Sequence, residues 1–316
     1  MFESVGPKYL RISVTARCNL ACRYCTGEHA TACAGEAPEP PPETIGFLVR
    51  CAAAEGVRKV RLTGGEPLVR DDLEEIVRAV SSVAEIAETT LTTNGIGLDA
   101  RAGALAAAGL SRANISLDTL RRDRFRRLTG KDLLAEVLAG IDAAGAAFEE
   151  VRLNTVLVGG LNDDEIEKLV RFATERGLRI RFIEQYGACG ASRTASPDAF
   201  EIRRRLEAAF GELMPLAGDP LSIERVFRLP SLGGATVGII SSRSSPPCAE
   251  CTRLRFTCEG RLRGCLFDTG GEDVARALAA GDEKAVRGAI RRVFASKRRA
   301  GARHPWVGSP VRLVGG

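Results

Sequence analysis

Residues 9–25 read YLRISVTARCNLACRYC, a short strand pattern followed at once by three cysteines in the spacing CxxxCxxC. The apolar and β-branched residues of 9–15 predict a buried strand. Cys18, Cys22 and Cys25 then lie beyond the carboxyl end of that strand, the end at which the active sites of parallel α/β barrels gather. The stretch therefore predicts a barrel strand together with a functional site.

The first two thirds of the chain repeat this order of strand and helix. Short β-branched runs alternate with amphipathic stretches, which predicts consecutive βα units and a parallel sheet. The strands are predicted at residues 9–15, 59–63, 89–93, 112–117, 151–158 and 178–184. The helices are predicted at residues 43–54, 73–83, 100–108, 133–144 and 165–175.

Six strands are too few for a closed eight-stranded barrel, which typically needs roughly 250 residues. We therefore expect an α/β fold with a partial (β/α)6 TIM-like barrel over residues 1–211. Residues 212–316 are expected to form a C-terminal extension, with short antiparallel strands over 212–268 and a helix over 272–298. The chain thus divides into two predicted regions.

The composition indicates a globular, cytoplasmic protein. The chain has 316 residues, 45% of them hydrophobic, and neither a membrane span nor a signal peptide is predicted. A net charge of +5 suits phosphorylated ligands but is too small to predict a protein that coats DNA. Clustered cysteines among the ten present favour metal or redox chemistry over disulfides.

The first cysteine triplet has the chemistry of an iron–sulfur site. Three thiolates leave one iron of a four-iron cluster open for a small molecule, whereas the alternatives are an incomplete zinc site or three unrelated buried thiols. Residues 63–67 read TGGEP at the end of the next strand. Taken alone, this motif is equally typical of a strand-to-helix turn. Together, the two motifs resemble those of the radical S-adenosylmethionine superfamily.

That resemblance implies a binding site for S-adenosylmethionine around the first cluster. Gly64, Gly65 and Glu66 would receive the methionyl amine, since small residues allow close approach and a carboxylate matches an ammonium. Hydroxyls and amides at the following strand ends would bind the rest of the cofactor, with simple turn caps as the alternative. The further cofactor-binding candidates are Tyr24, Thr92, Thr93, Asn94, Ser116, Asp118 and Tyr186.

A second cysteine triplet lies far downstream. Cys248 and Cys251 form a CxxC pair, and Cys265 follows after thirteen residues. Cys258 lies between the last two, so a zinc ribbon or a four-cysteine cluster is an alternative to a three-cysteine cluster. Cys258 is otherwise expected to point into the core.

Two triplets in a chain of this length and order resemble the GTP 3′,8-cyclase (MoaA) family of molybdenum-cofactor biosynthesis. The resemblance covers nearly the whole chain. It includes YLRISVT at 9–15, VRLT at 60–63, LTTNG at 91–95, NISLD at 114–118, GLND at 160–163, RFIE at 181–184 and the final Gly315-Gly316.

The family resemblance implies the cofactors, the partners and the reaction. It implies two [4Fe-4S] clusters and S-adenosylmethionine, with the second cluster meeting the guanine of GTP. The product would be (8S)-3′,8-cyclo-7,8-dihydroguanosine 5′-triphosphate. An electron donor such as flavodoxin or ferredoxin is expected, and a homodimer is a candidate assembly; DNA and membranes are not expected partners.

The resemblance also implies which residues hold GTP. Basic side chains in strands, where apolar ones would be expected, suit a triphosphate. The substrate-binding candidates are Arg11, Lys59, Arg61, Arg152, Arg181, Arg253 and Arg255, with Gly315 and Gly316 in a tail that enters the barrel. Arg11, Arg253 and Arg255 are the catalytic candidates. Two terminal glycines alone would instead indicate disorder.

Two departures from the family pattern keep other functions open. Thr26-Gly27 replaces the usual Met-Pro after the first triplet, and Gln185-Tyr186-Gly187 replaces a Met expected near the adenine. A paralogous radical enzyme acting on another nucleotide or a peptide is one alternative. An iron–sulfur electron carrier or a zinc-stabilised scaffold is the other.

Overall fold

One twelve-stranded sheet organises the computed structural model, which describes residues 6–26, 39–185, 196–217, 222–241, 244, 248, 251–266, 268 and 270–300. Its strands are β1 (Tyr9–Ser13), β2 (Lys59–Thr63), β3 (Glu88–Thr93), β4 (Arg112–Ser116), β5 (Glu150–Leu157), β6 (Arg179–Glu184), β7 (Met214–Pro215), β8 (Glu224–Leu229), β9 (Ala235–Ile240), β10 (Arg253–Phe256), β11 (Arg261–Arg263) and β12 (Glu272–Asp273).

Helices connect the strands within the same described ranges. They are α1 (Arg23–Thr26), α2 (Pro42–Ala54), α3 (Leu73–Ser81), α4 (Leu98–Ala107), α5 (Arg122–Thr129), α6 (Leu134–Ala147), α7 (Ile166–Glu175), α8 (Ala199–Phe210), α9 (Ala275–Ala279) and α10 (Glu283–Ala300). None of these helices is both long enough and apolar enough to cross a membrane.

The six predicted strands form the parallel centre of the sheet. Strands β1 to β6 lie side by side in chain order and are all parallel. Residues from the carboxyl ends of all six line one cavity, so the sheet curves around that cavity as a partial barrel. The predicted α/β fold class is confirmed.

The C-terminal extension differs in part from the prediction of antiparallel strands alone. Strands β7, β8, β11 and β12 do pair antiparallel with their neighbours. However, β9 pairs parallel with β6, and β10 pairs parallel with β1. The extension therefore covers both edges of the six-stranded centre, which satisfies backbone groups that would otherwise lie unpaired.

The two faces of the central strands have opposite character because side chains alternate along a strand. Leu10, Ile12, Leu62 and Phe182 are fully buried on the face that packs against the helices. The intervening residues of the same strands, such as Arg11, are polar and face the barrel interior. The fold thus places an apolar core outside the barrel and a polar surface within it.

The predicted helix over 272–298 is interrupted in the structure. Helix α9 ends before Gly281, whose φ of +65° suits a left-handed C-terminal residue. Asp282 then accepts a hydrogen bond from the backbone N–H of Ala285 at 2.9 Å and begins α10. A glycine followed by a capping carboxylate, rather than the apolar pattern, sets this boundary.

We expect Phe182→Ala to destabilise the protein by about 3–5 kcal/mol, because it removes a fully buried ring from the core. Phe200→Ala is the matched control, since the Phe200 side chain is 76% exposed. Urea titration should place the Phe182→Ala midpoint well below that of the wild type and leave the control almost unchanged. Equal midpoints for both variants would contradict the position of Phe182 in the core.

Candidate active site and cluster sites

A cavity of about 180 Å³ lies at the carboxyl ends of the central strands. It collects the first cysteine triplet and most of the predicted cofactor-binding residues. The predicted residues that line it are Cys18, Cys22, Tyr24, Cys25, Gly64, Gly65, Glu66, Thr92, Thr93, Asn94, Ser116 and Asp118. The parallel arrangement of β1 to β4 therefore brings together motifs that are distant in the sequence.

The glycine pair of the TGGEP motif packs against the chain that leads to the first cysteine. A Cβ atom on Gly65 would lie 2.1 Å from the carbonyl oxygen of Arg17, and one on Gly64 would lie 2.5 Å from that of Thr15. The Gly65 N–H donates to the Thr15 carbonyl at 2.7 Å, and the Glu66 N–H to the Arg17 carbonyl at 2.8 Å. The close approach thus involves this backbone, whereas the sequence suggested approach to a ligand.

Glu66 is buried, and its carboxylate retains capacity for a further donor. Oε1 accepts from the Thr93 hydroxyl at 2.6 Å and the Leu68 N–H at 3.0 Å. Oε2 accepts from the Asn94 N–H at 2.6 Å. Burial raises the pKa of Glu66 to about 7, although these hydrogen bonds oppose the shift. A carboxylate oxygen has room for two donors, so Oε2 can accept one from an ammonium.

Some polar side chains at the strand ends already form hydrogen bonds within the protein, and others are available to a ligand. The Asn94 amide donates to Asn19 at 2.7 Å, which ties the cysteine segment to β3. The Thr92 hydroxyl is buried and has no hydrogen-bond partner within the described ranges. Ser116 also lines the cavity. A buried hydroxyl without a partner is costly, so a polar ligand at Thr92 fits the cavity.

Tyr24 fixes the cysteine segment to the opposite wall. Its hydroxyl donates to Asp118 Oδ2 at 2.5 Å, and the Val156 N–H donates to Oδ1 at 2.9 Å. Burial raises the pKa of Asp118 to about 6. Tyr24, predicted from the sequence as a cofactor contact, therefore also positions the segment between Cys22 and Cys25.

The second cysteine triplet lies at the other end of the barrel. Cys251 precedes β10, and Cys265 follows β11, which runs antiparallel to β10 and returns to its amino end. Burial raises the pKa of Cys248, and negative charge on Cys265 and Cys251 adds to the increase, so the three thiols interact. Since β1 and β10 are parallel and about five residues long, the two triplets lie roughly 16 Å apart along the barrel.

Cys258 is separated from this triplet. It follows β10, whereas Cys251 precedes it, so roughly 13 Å of strand lies between them. Cys258 is buried beside Ser13, at the carboxyl end of β1. The four-cysteine alternatives with Cys258 as a ligand are therefore wrong, and the prediction of a core position is correct.

The two cysteine triplets each offer three thiols to one site. Within the ranges that the structure describes, no three ligating side chains are arranged around a point that could hold a single metal ion. A four-iron cluster bound by three thiolates keeps one iron open for a further ligand.

Between the two triplets, the barrel interior is crowded with charge. The cations outnumber the carboxylates on this face. The cations are Arg11, Lys59, Arg61, Arg112, Arg152, Arg179, Arg181, Arg253 and Arg255, and the carboxylates are Glu88, Glu150 and Glu224. Buried charge is stable only when it is paired, so the excess positive charge suits an anionic ligand.

Three of the predicted substrate residues lie against carboxylates of the barrel interior. Lys59 forms an ion pair with Glu88. Arg152 binds Glu150 at 2.5 Å. Arg181 donates to Asn154 at 2.8 Å and to Asn114 at 2.6 Å, and it lies 3.4 Å from Glu224. These contacts were not predicted, because the sequence pattern does not single out the three carboxylates of the interior.

Of the other predicted cations, Arg61 and Arg253 are the better placed for an anion. Arg61 donates to the Thr90 hydroxyl at 3.2 Å and lies over the Tyr9 ring. Neither Arg61 nor Arg253 forms an ion pair with any carboxylate that the structure describes. Arg11 pairs in register with Arg255 on one side and with Arg61 on the other. Burial lowers the pKa of Arg61 to about 10, which leaves it charged at neutral pH.

Two residues that line the cavity, Asn154 and Glu184, were not predicted from the sequence. Asn154 lies one strand period beyond Arg152, and that spacing was the available signal. Tyr186, Gly315 and Gly316, named from the sequence, fall outside the described residues.

Comparison with protein families agrees with this geometry. The family model described as the Radical SAM superfamily matches residues 12–173, and the one described as Molybdenum Cofactor Synthesis C matches residues 178–302. With a cysteine-lined cavity at the strand ends, these matches define a radical S-adenosylmethionine enzyme. The C-terminal region of this enzyme, residues 178–302, matches the family model for molybdenum-cofactor synthesis.

Relatives narrow the family further. The GTP 3′,8-cyclase of Moorella thermoacetica is 44% identical over 278 residues, which cover 86% of this chain and 85% of that protein. GTP 3′,8-cyclase 2 of Mycobacterium bovis is 38% identical over 297 residues, which cover 91% and 82%. The chain belongs to the GTP 3′,8-cyclase family.

Solved structures share the fold. Streptococcus suis SuiB bound to S-adenosylmethionine has a TM-score of 0.69 at 17% identity, covering 93% of this chain and 68% of that one. HydG, a maturase of the [FeFe]-hydrogenase, has a TM-score of 0.51 at 11% identity, covering 64% and 49%. At such identities the likeness concerns the fold alone.

We expect Gly65→Ala to displace the segment that carries the first triplet, because the new methyl group would overlap the Arg17 carbonyl. The variant should lose iron from the first cluster, about four atoms per chain, and keep the second. Gly103→Ala is the control, since no atom lies within 4 Å of its added methyl group. Iron analysis with electron paramagnetic resonance separates the two clusters, and full loading of Gly65→Ala would contradict this packing role.

Proposed function

We propose that this chain is a GTP 3′,8-cyclase, which converts GTP to (8S)-3′,8-cyclo-7,8-dihydroguanosine 5′-triphosphate in the first step of molybdenum-cofactor biosynthesis. The observation that carries the proposal is a barrel interior lined with arginines between two cysteine triplets. A nucleotide triphosphate supplies the negative charge that this interior lacks. The similarity to GTP 3′,8-cyclases supports the choice of GTP.

The first triplet and the cavity beside it would hold the radical-generating cofactors. Cys18, Cys22 and Cys25 would bind one [4Fe-4S] cluster, Glu66 Oε2 would accept from the ammonium of S-adenosylmethionine, and the Thr92 hydroxyl would bond to its polar groups. When bound, the cluster and S-adenosylmethionine supply the 5′-deoxyadenosyl radical that removes hydrogen from C3′ of GTP.

The chain's own contribution at the second site is to hold and orient GTP. Cys248, Cys251 and Cys265 would bind the second [4Fe-4S] cluster, with the guanine beside it. The triphosphate would lie against Arg61 and the proposed catalytic residues. These are Arg11, Arg253 and Arg255, which β1 and β10 hold side by side. Fixing both ends of GTP places the ribose within reach of the first site and excludes water.

Three of the predicted substrate residues have a structural role in this proposal. Lys59, Arg152 and Arg181 would contact the triphosphate only by exchanging a present partner, so we assign them to shaping the interior wall. The roles of Tyr186, Gly315 and Gly316, and the division of the chain at residue 211, stay predictions. We also propose a cytoplasmic enzyme that takes electrons from a flavodoxin or ferredoxin and forms a homodimer.

S-adenosylmethionine should bind more weakly as the pH falls through 7. The pKa of Glu66 is raised to about 7, and protonation removes the charge that attracts the ammonium. Equilibrium dialysis at pH 7.5 and pH 5.5 should show a loss of affinity of up to about tenfold per pH unit below the pKa. Glu66→Gln should bind S-adenosylmethionine weakly at both pH values. If its affinity depends on pH as strongly as that of the wild type, Glu66 does not have this role.

The decisive assay supplies the reconstituted, reduced protein with S-adenosylmethionine and GTP without oxygen. Mass spectrometry should detect 5′-deoxyadenosine together with a cyclised GTP product. If 5′-deoxyadenosine forms without any product from GTP, the substrate is wrong and a paralogous radical enzyme is indicated. If neither forms despite full iron loading, the enzyme assignment fails.

A variant pair tests the arginine-lined interior within the same assay. Arg61→Ala should raise the dissociation constant of GTP about tenfold to a hundredfold, since a charged hydrogen bond contributes about 1.5–3 kcal/mol. Binding of S-adenosylmethionine should not change. Arg225→Ala is the matched control, because Arg225 is exposed on β8. Equal GTP affinity in the two variants would remove Arg61 from the substrate site.

A further inference from the structure

The side chain of Lys297 extends from α10 to the second cysteine triplet. Its Nζ atom lies 3.0 Å from Cys251 Sγ and donates to the Arg253 carbonyl at 2.6 Å. Its stem passes over Gly264, where an added Cβ would lie 3.0 Å from the Cβ of Lys297. Because Gly264 adjoins Cys265, one side chain contacts both segments that carry the triplet.

The position of Lys297 is set by the packing of α10. Arg287 and Arg291 each bind Glu55, at the end of α2, at 2.7 Å. Arg292 binds Glu272 in β12. Val293 and Phe294, one turn before Lys297, are buried in the core. The ammonium is therefore held at Cys251 by contacts that do not involve the thiol.

A hydrogen-bond donor beside a ligating sulfur changes the reduction potential of an iron–sulfur cluster. Hydrogen bonds to the sulfurs and nearby positive charge favour the reduced state, which carries more negative charge, and so raise the reduction potential. An ammonium has three donors, of which two are used here. A thiolate keeps lone pairs when it binds iron, so the contact with Lys297 is compatible with cluster binding.

We propose that Lys297 is a positioning residue for the second cluster, whose hydrogen bond to Cys251 Sγ fixes that ligand and raises the cluster's reduction potential. This inference rests on the proposed function, because it requires a cluster at Cys248, Cys251 and Cys265. It extends the second site beyond its ligands, to a helix near the end of the described chain.

The test is a redox titration of the reconstituted full-length protein, followed by electron paramagnetic resonance. Lys297→Met removes the donor and the charge, and Lys297→Gln keeps a donor without the charge. We expect the second cluster of Lys297→Met to titrate at a lower potential than in the wild type, with Lys297→Gln between them. The first cluster should keep its potential. Lys284→Met, which removes an exposed lysine from the same helix, should leave both potentials unchanged.

The possible outcomes distinguish a failure of this inference from a failure of the proposed function. A lowered potential, or selective loss of second-cluster iron in Lys297→Met, supports the role of Lys297. Unchanged loading and potential in Lys297→Met, beside an intact second cluster in the wild type, overturns it. If Lys297→Met loses both clusters, the reduction potential of the second cluster in Lys297→Gln is the test. A value below that of the wild type supports the role of Lys297, and an equal value overturns it. A wild-type protein without a second cluster would overturn the proposed function itself, and this inference with it.

Discussion

The parallel pairing of β10 with β1 determines where the two cysteine triplets lie. Arg11 pairs with Arg255, and the N–H groups of Lys8 and Tyr9 both approach the carbonyl of Thr252, the residue after Cys251. Because the two strands run in the same direction, the segment after β1 and the segment before β10 lie at opposite ends of the barrel. An antiparallel pairing would put both triplets at one end and leave no chamber between them.

The barrel interior between the two triplets contains buried charge that its own carboxylates neutralise only in part. Glu150 and Glu224 hold several arginines in fixed positions, and each of these contacts offsets part of the cost of removing a guanidinium from water. Arg61 and Arg253 are left without a described carboxylate. Folding therefore holds these side chains in place before any ligand arrives, and their ordering need not be repeated on binding.

Features that depend on local periodicity were predictable from the sequence. The strand at 59–63 follows from its alternating pattern, and the cysteine spacing picks out the first triplet. The second triplet was predicted with the help of the family resemblance. Features that depend on a distant partner were not. The neighbours of β9 and β10, the carboxylates facing Arg152 and Arg181, and the contact of Lys297 with Cys251 all join segments whose own patterns carry no sign of the pairing.

The same topology has a consequence for how the protein is made. Strand β1 is synthesised well before β10, the strand that covers its outer edge. Until then β1 presents unpaired backbone groups, and exposed strand edges of this kind recruit other chains. During synthesis, the outer edge of β1 thus stays exposed until β10 has formed. A truncation before residue 253 would leave that edge exposed permanently.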